Sequence, residues 1–600
     1  VMSNKRSIVK NCNYIYSKIW KISKVRLIFP VFLALLGSCC TVCIMLFPKL
    51  IIDSLTNNES ALFAITIILI RLGISILYNV LSRVFSEKLY PIKDAKINDF
   101  FVTELYKKTG LIDLKNLDDP HFYDKYSRAI DNAQVIPGQL LGLYDSFLTF
   151  LFDTVALVLT LTYIGPWTIL IVIVSFLFNT LINSWLSKKD YLFEVNITGE
   201  KRVFEYIKRI FYIPQYKNDL LFFSLDETAL KKYDQANSKL VKKILGYKPF
   251  RAFVDSAANL VFNALNLGVG GTYLGFCIIN GRATIGALVS GLFSMEELGN
   301  VFSRAGSIFP QFRQTSLFIT DYRDVMETYS GLYTDDGIDV SNSKIQGIDF
   351  NNVSFSYHEG MDILRDVNVR IEGGSKVALV GENGAGKSTF LKLLLKLYKP
   401  TSGQIFFNEK DYSEINTSSF YKLCSPMFQE TNCYALSIEE NVKISNLDEN
   451  NERSIDIQTS LEKSGLSGKI NALPQKADTL MISEVNNEGI DLSGGETQKI
   501  GVARIMYRNT DLIVMDEPSA ALDPISEQNL YDTLDTLSSD KTLIIVSHRL
   551  SSVKNMDRIL FFENGQIVED GSHAELMEKN GKYAHMFNVQ AKRYGENDNA

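Results

Sequence analysis

Long apolar runs occupy the first half of the chain and do not return after residue 310. A helix needs about 20 residues to cross a hydrocarbon core of about 30 Å, and six runs are long enough. The pattern predicts six membrane-spanning helices, at residues 27–52, 61–84, 140–164, 167–186, 252–279 and 285–309. Glu296, Glu297 and Arg304 interrupt the last of these runs.

The connections between the runs alternate in length and in charge. Residues 53–60 and 165–166 contain no Lys or Arg, and residues 280–284 contain only Arg282. In contrast, the long connections 85–139 and 187–251 are rich in Lys and Arg, and so is the N-terminal segment. Because basic loops remain in the cytoplasm, the sequence predicts that both termini and both long connections are cytoplasmic.

The two long connections contain few Gly or Pro, as is typical of helices. At a rise of 1.5 Å per residue, each could descend about 40 Å from the membrane and return. Asp119-Pro120 predicts the start of a short helix at 121–132, and Ile213-Pro214 interrupts the pattern before 217–223. We interpret both connections as levers that reach a soluble partner; the alternative is an ordinary loop.

The second half begins with a polar linker near 334–343, followed by predicted strands at 348–357, 367–371 and 376–380. The third strand leads into the pattern GxxxxGK[ST] and a predicted helix at 389–397, which is the context of a phosphate-binding loop. Backbone N–H groups and the helix N-terminus bind the phosphates in such a loop. The predicted nucleotide-binding residues are Gly381, Glu382, Asn383, Gly384, Ala385, Gly386, Lys387, Ser388 and Thr389.

Four side chains carry the predicted chemistry at this loop and its magnesium ion. Lys387 is expected to contact the β- and γ-phosphates, and the Ser388 hydroxyl to bind Mg²⁺. A second apolar strand, 512–515, ends in Asp516-Glu517. Asp516 is predicted to support the Mg²⁺ and Glu517 to act as the general base for the attacking water. Two carboxylates that end a buried strand are costly without a cation, which disfavours a purely structural interpretation.

The segment Leu492-Ser493-Gly494-Gly495-Glu496, before a predicted helix at 497–507, resembles the LSGGQ signature of the ATP-binding cassette family. It differs from that pattern only at Glu496. The resemblance implies that Ser493, Gly494 and Gly495 contact ATP phosphates. It also implies roles for four further residues: Tyr357 stacks on adenine, Gln429 senses Mg²⁺ and water, Asp523 couples opposed sites, and His548 contacts the γ-phosphate.

The same resemblance implies the assembly, since the signature segment completes an ATP site on an opposite cassette. All the motif residues are present, so a homodimer is the simplest interpretation, and a heterodimer remains open. The predicted fold class is multidomain: an all-α six-helix transmembrane domain followed by an α/β P-loop ATP-binding cassette. The predicted domains are an N-terminal elbow segment 1–26, a transmembrane domain 27–330, a linker 331–345, a cassette 346–590 and a tail 591–600.

This organisation resembles that of ABC exporters, which implies an ATPase coupled to transport by alternating access, with ATP and Mg²⁺ as cofactors. Residues 117–124 are similar to the coupling segment of bacterial exporters of lantibiotics and other ribosomal peptides, and no peptidase domain is expected. A ribosomal peptide, cationic or amphipathic, is therefore one predicted substrate class. The alternatives are a lipid or hydrophobic drug, or an ATP-gated channel or regulatory membrane protein on this scaffold. The expected location is a bacterial plasma membrane.

Polar residues inside the predicted helices bear on the substrate. Such residues tend to face a bundle interior or a cavity, and a mildly acidic cavity suits a cationic peptide. The alternative is hydrogen bonding between helices, and Arg71 is a possible partner for one acid. The candidates are Asp145, Asp153, Asn179, Asn183, Asp255, Asn259, Asn263, Asn266, Glu296 and Glu297.

Composition adds two exclusions. A net charge of −6 gives no indication of a nucleic-acid partner, because nucleic-acid binders are usually basic. Cys40 and Cys43 form a CxxC pattern inside an apolar run without a second pair or a nearby His. We predict that these thiols pack between helices and hold neither a metal nor a disulfide.

Overall fold

The computed structural model describes residues 7–57, 61–164, 167–213, 216–328, 337–357, 360–446, 455–520 and 522–595. The chain divides into two compact units. We call Val1–Lys108 with Asp124–Glu327 the helical unit, and Thr109–Tyr123 with Thr328–Ala600 the cassette unit. The tip of the first predicted lever therefore belongs to the cassette unit, although sequence alone assigned it to the transmembrane domain.

Long helices make up the helical unit. The helices of the first half are α1 Ile8–Ile22, α2 Val25–Thr56, α3 Ala61–Val84, α4 Tyr90–Thr109, α5 Leu114–Asp118, α6 Pro120–Ala133, α7 Val135–Ile164, α8 Thr168–Tyr212, α9 Lys217–Phe222, α10 Leu225–Asn263, α11 Gly271–Ile279 and α12 Ile285–Glu327. Of these, α5 lies in the cassette unit. Two π-helical segments, Phe85–Leu89 and Ala264–Gly270, join α3 to α4 and α10 to α11.

Four continuous helices in the described part of the chain are long and apolar enough to cross a membrane: Val25–Thr56, Leu62–Thr109, Val135–Ile164 and Leu225–Ile279. They contain four of the six predicted spans. Of the other two, 167–186 begins one residue before α8 and otherwise lies in it, and 285–309 lies within α12. The side chains of several α8 residues, including Asn179 and Asn183, fall outside the described set.

The second lever consists of the distal parts of α8 and α10. With 45 residues, α8 is about 68 Å long, more than twice the thickness of a hydrocarbon core. Lys243 pairs with Glu200 at 2.9 Å and Arg251 with Asp190 at 3.0 Å, which joins the two helices. The chain leaves α8 after Tyr212, just before the predicted break, and α9 ends one residue before the predicted 223.

Two sheets form the framework of the cassette unit. The strands are β1 Gly347–Ser356, β2 Asp362–Glu372, β3 Lys376–Gly381, β4 Ser402–Phe407, β5 Lys410–Asp411, β6 Cys424–Met427, β7 Leu512–Asp516, β8 Thr542–Val546, β9 Arg558–Glu563 and β10 Gln566–Gly571. The four-stranded antiparallel sheet has the order β2-β1-β4-β5. The six-stranded sheet has the order β10-β9-β3-β8-β7-β6 and is parallel except for β10.

Helices cover these sheets and form a separate helical lobe. They are α13 Lys387–Leu394, α14 Thr417–Lys422, α15 Ile438–Lys443, α16 Ile457–Lys463, α17 Ser467–Asn471, α18 Gly494–Arg508, α19 Pro524–Leu537, α20 Leu550–Val553, α21 His573–Glu578 and α22 Lys582–Gly595. The strand β2 begins at Asp362, five residues before the strand predicted at 367–371, because the earlier residues also pair with β1. The helix predicted at 389–397 begins at Lys387 and ends at Leu394.

The strand order positions the site. β3, β8 and β7 are neighbours in the parallel sheet, and they end at Gly381, Val546 and Asp516. Ligands of parallel α/β sheets bind beyond the carboxyl ends of the strands. The residues that follow these three strands therefore meet at one edge, although long stretches of sequence separate them.

Candidate nucleotide-binding site

The phosphate loop joins β3 to α13 through backbone conformations that favour glycine. Gly381 has φ 144° and Gly386 has φ 99°. A Cβ atom on Gly381 would lie 2.1 Å from the carbonyl oxygen of Phe562, so a larger residue cannot fit without moving the backbone. Lys387 is buried, and its Nζ donates to the carbonyl oxygens of Gly381 and Glu382, each at 2.8 Å. Burial lowers the pKa of Lys387.

Asp516 and Ser388 fit the expected magnesium site. Asp516 is buried, and its Oδ1 has no hydrogen-bond partner within the described residues. Burial raises the pKa of Asp516, and a hydrogen bond from Ser388 opposes that shift. An uncompensated buried carboxylate oxygen beside a hydroxyl provides the oxygen ligands that Mg²⁺ prefers. The described residues contain no group of three or more His, Cys, Asp and Glu side chains that could hold a metal ion, but Mg²⁺ usually takes one or two carboxylates and the substrate phosphates.

The three predicted catalytic residues meet at one carboxylate. His548 Nε2 lies 2.9 Å from Glu517 Oε1, and Gln429 Nε2 donates to Glu517 Oε2 at 3.2 Å. Glu517 has φ 51°, a conformation that is uncommon outside glycine. Its amide donates to the carbonyl oxygen of Val546 at the end of β8, at 3.0 Å. In this structure Gln429 contacts the base rather than the predicted metal-binding pair.

A supporting network that sequence reasoning missed is centred on the buried Glu527. Its Oε1 accepts hydrogen bonds from Ser519 at 3.0 Å and Ser552 at 2.8 Å, and its Oε2 pairs with Arg549. These contacts join the segments that follow Glu517 and His548. No sequence signal reveals the network, because its partners lie 8, 22 and 25 residues from Glu527 and share no motif.

Tyr357, the predicted adenine-stacking residue, has contacts to other side chains through both its hydroxyl and its ring. Its hydroxyl lies 3.2 Å from Thr389 Oγ1 in α13. Its ring meets that of Tyr398 edge to face, with centroids 5.5 Å apart, and the Tyr398 hydroxyl donates to Asp118 of α5. A cavity of about 420 Å³, a size typical of small-molecule sites, is lined by Asp118, Tyr357, Met361, Ile363 and Lys392.

The remaining predicted residues occupy helix N-termini. Ser493 is the N-cap of α18, and Gly494 and Gly495 are its first residues. Asp523 is the N-cap of α19, where its Oδ1 accepts from the amides of Ile525 at 3.1 Å and Ser526 at 3.0 Å. A hydrogen bond from the Ser526 side chain is the main cause that lowers the pKa of Asp523, and the bonds from the amides of Ser526 and Ile525 add to it.

Ser493 and the phosphate loop do not meet within this chain. In the described part of the structure, the Ser493 amide and hydroxyl both bond to Glu496, and no hydrogen bond joins Ser493 to the phosphate loop. The cassette unit therefore contains every predicted motif residue, but brings the catalytic trio, the phosphate loop and the Mg²⁺ pair together without the signature segment.

A phosphate loop, a carboxylate pair beyond neighbouring parallel strands and a long helical unit define a membrane protein with a P-loop nucleotide-binding cassette. Comparison with known proteins shows a family resemblance in the cassette unit and a likeness of fold along the chain. Residues 364–520 match the sequence model described as ABC transporter. The structure also superposes on that of a bacterial Atm1-family ABC exporter with ATP bound, with a TM-score of 0.77 over 95% of this chain and 98% of that chain. Sequence identity to it is 21%, so this likeness concerns the fold.

Two curated relatives are similar in sequence. A protein of Staphylococcus aureus strain NCTC 8325 / PS 47 carries the name multidrug export ATP-binding/permease protein. It is 31% identical over 375 residues, which cover 61% of this chain and 62% of that relative. The subtilin transport ATP-binding protein SpaT of Bacillus subtilis is 27% identical over 554 residues, or 88% of this chain and 86% of that protein.

Residues 364–520 are similar to the ABC transporter family, and the chain as a whole has the fold of an ABC exporter, with helical and nucleotide-binding parts in one polypeptide. The predicted fold class is confirmed: a helical membrane region precedes an α/β P-loop cassette. The match to the Staphylococcus aureus relative spans 62% of that protein's length.

Proposed function

We propose that this chain hydrolyses ATP and uses the energy to export a substrate across a bacterial plasma membrane. The observation that carries the proposal is the position of Glu517, which is held by His548 and Gln429 beyond the strand that ends in Asp516. A base held in this way, beside a lysine-containing phosphate loop, suits attack of water on a γ-phosphate.

The chain's own residues would divide the chemistry as follows. The Lys387 ammonium would donate hydrogen bonds to β- and γ-phosphate oxygens in place of the two loop carbonyl oxygens, and Tyr357 would stack on the adenine. Ser388 and Asp516 hold Mg²⁺, which supplies positive charge to the phosphates. Glu517 accepts a proton from the attacking water. Gln429 and His548 hold the carboxylate through its two oxygens and keep it aimed.

Export requires a second cassette. In the described part of the chain, Ser493 bonds to Glu496 and not to the phosphate loop. We therefore propose that Ser493, Gly494 and Gly495 complete an ATP site on another copy of the chain. A homodimer then has two equivalent sites, and a heterodimer with a related chain is the alternative. ATP binding would close the cassettes and open the membrane cavity outward, with both chain termini in the cytoplasm.

For the substrate we propose a ribosomal peptide. The support is the similarity to the subtilin transport protein along 88% of this chain. The structure weakens the separate argument from an acidic cavity, because acids in the membrane half have arginine partners. Asp145 pairs with Arg26 at 3.1 Å, and Asp153 pairs with Arg304 at 3.3 Å. Arg304 also contacts Glu297 at 3.0 Å, which leaves this triad with one net negative charge.

A hydrophobic drug is the second candidate. The observation in its favour is the name of the Staphylococcus aureus relative, which refers to multidrug export.

Asn266 supports the alternative that polar residues of the membrane helices form hydrogen bonds between helices. Its Oδ1 accepts a hydrogen bond from the Ser175 hydroxyl at 3.0 Å and so joins two helices.

The test compares ATPase rates in reconstituted vesicles for the native chain, Glu517→Gln and the surface control Glu578→Gln. We expect Glu517→Gln to lose at least about 100-fold in ATPase rate, the usual contribution of a general base, and Glu578→Gln to match the native chain. Unchanged turnover in Glu517→Gln would remove Glu517 from its role. Uphill uptake of a labelled cationic peptide into inverted vesicles supports peptide export, whereas uptake of drugs alone supports the second candidate. Passive flux with no uphill accumulation would indicate a gated channel.

A further inference from the structure

Glu496 is the residue at which this chain differs from the LSGGQ signature. Its carboxylate contacts two residues, Ser493 and Lys469. Its Oε2 accepts hydrogen bonds from the amide and the hydroxyl of Ser493, both at 2.9 Å. Its Oε1 lies 3.3 Å from the Nζ of Lys469 in α17. The carboxylate therefore occupies the first turn of α18, where the proposed function places the phosphates of an ATP held by the opposite cassette.

This position creates an electrostatic conflict. Glu496 is ionised at neutral pH, since the hydrogen bond from the Ser493 amide is the main cause that lowers its pKa. A carboxylate at a helix N-terminus is favourable by itself, but it repels a phosphate that approaches the same turn. In addition, the Ser493 hydroxyl has one proton and donates it to Glu496, so it cannot donate to a phosphate at the same time.

Lys469 is suited to remove the conflict. Its ammonium contacts the carboxylate oxygen that Ser493 does not use. Its side chain is 43% exposed, so it can follow Glu496 when Ser493 turns toward a nucleotide. It lies on α17, outside every motif that the sequence analysis identified.

We propose that Lys469 is a positioning residue of the signature segment: it neutralises Glu496, and thereby lets Ser493 and the N-terminus of α18 receive the ATP phosphates. The inference rests on the proposed function, because it requires ATP between two cassettes. It adds a residue on which this chain depends because it carries Glu rather than Gln in the signature.

A double-mutant cycle tests the proposal in the full chain reconstituted in vesicles. Glu496→Gln removes the charge and retains an oxygen that can cap Ser493. With Glu496 present, Lys469→Met should raise the KM for ATP about threefold to fivefold, the size of one exposed ion pair, and leave kcat unchanged. In the Glu496→Gln background the same change should alter KM by less than about 1.5-fold. Lys469→Arg should restore the native KM.

The controls distinguish the possible failures. Lys463→Met changes an exposed lysine of neighbouring α16 and should leave KM unchanged in both backgrounds. An equal rise in KM for Lys469→Met in both backgrounds would overturn the role of Lys469, even with normal ATP turnover in the native chain. If the native chain fails to hydrolyse ATP, the proposed function falls first.

Discussion

At the scale of single residues, the nucleotide site depends on backbone conformations that most side chains avoid. Gly381 and Gly386 adopt positive φ angles in the phosphate loop, and Glu517 adopts one without being glycine. Such a residue costs of the order of 1–3 kcal/mol and persists only where its surroundings hold it. Glu517 is held by the Val546 carbonyl, His548 and Gln429, so its strained backbone aims the carboxylate.

Two glycines of the loop should respond differently to a methyl group. Gly381→Ala places a Cβ 2.1 Å from the Phe562 carbonyl oxygen. The Cβ of Gly384→Ala would meet no atom within 4 Å, so its only cost is the backbone strain of an alanine at φ 79°. We expect Gly384→Ala to cost about 1–2 kcal/mol of unfolding free energy and Gly381→Ala clearly more, with at least about tenfold weaker ATP binding. Fluorescent-nucleotide titration and thermal unfolding measure both, and equal behaviour of the two variants would contradict the assignment.

Lys396 should make the stability of the cassette depend on pH. It is buried, it donates to the Ile415 carbonyl oxygen, and burial lowers its pKa to about 8. In the unfolded chain, Lys396 keeps its proton up to the ordinary lysine pKa. Between pH 8 and that pKa the unfolded chain therefore binds more protons than the folded chain, and the free energy of unfolding rises with pH. We expect the unfolding temperature to increase from pH 8 to pH 10 relative to Lys396→Met. Parallel pH profiles for the two proteins would disprove this.

At the scale of elements, the short helix α5 depends on contacts with the rest of the cassette unit. α5 has only five residues, too few to be stable alone, and its Asp118 accepts a hydrogen bond from the buried Tyr398. Tyr398 in turn contacts the ring of Tyr357. The hydrogen bond therefore links α5 to the predicted adenine-stacking residue through two aromatic rings.

Loss of this acceptor should loosen α5. In Asp118→Ala the buried Tyr398 hydroxyl loses its partner, which costs about 1–3 kcal/mol, while Asp118→Asn retains an acceptor oxygen. Hydrogen exchange followed by mass spectrometry should show faster exchange of residues 114–118 in Asp118→Ala and near-native exchange in Asp118→Asn. Identical protection in both variants would mean that packing, rather than this bond, holds the helix.

At the scale of the whole molecule, the lack of a hydrogen bond between Ser493 and the phosphate loop in the described part of the chain supports the proposed dimer. The Ser493 amide and hydroxyl bond only to Glu496 within the described chain, and twofold homodimers are the commonest symmetric assemblies of proteins in general. A second copy, related by a twofold axis, would supply the missing residues to each site reciprocally.

Two inactive variants should therefore restore one another. Lys387→Ala removes the phosphate-loop cation and Ser493→Arg blocks the signature, so each alone should be inactive as a homodimer. In mixed dimers, one site carries both lesions and the other carries none. With random pairing and independent sites, co-expression should return roughly a quarter of native ATPase activity. No recovery, with dimers shown by cross-linking, would favour a heterodimer with a different chain.

Much of the cassette was predictable because its signals are local. Short continuous apolar runs predict β3 and β7 to within one residue at each end, and the glycines of the phosphate loop follow directly after β3. The levers were partly predictable: Asp119-Pro120 correctly indicates the start of α6, but the attachment of residues 109–123 to the cassette unit depends on Tyr398, which lies 280 residues from Asp118.

The sequence by itself determined the chemistry at each strand end: the glycine loop, the carboxylates and the histidine. Only the tertiary structure decided which of these groups touch. Gln429 reaches Glu517 across 88 residues because β6, β7 and β8 are adjacent in the sheet. In the helical unit, Asp145 and Asp153 are paired with arginines that are distant in sequence. Helix packing, rather than sequence separation, sets the distance between these charges. Contacts between distant residues arise from topology, and local periodicity carries no record of it.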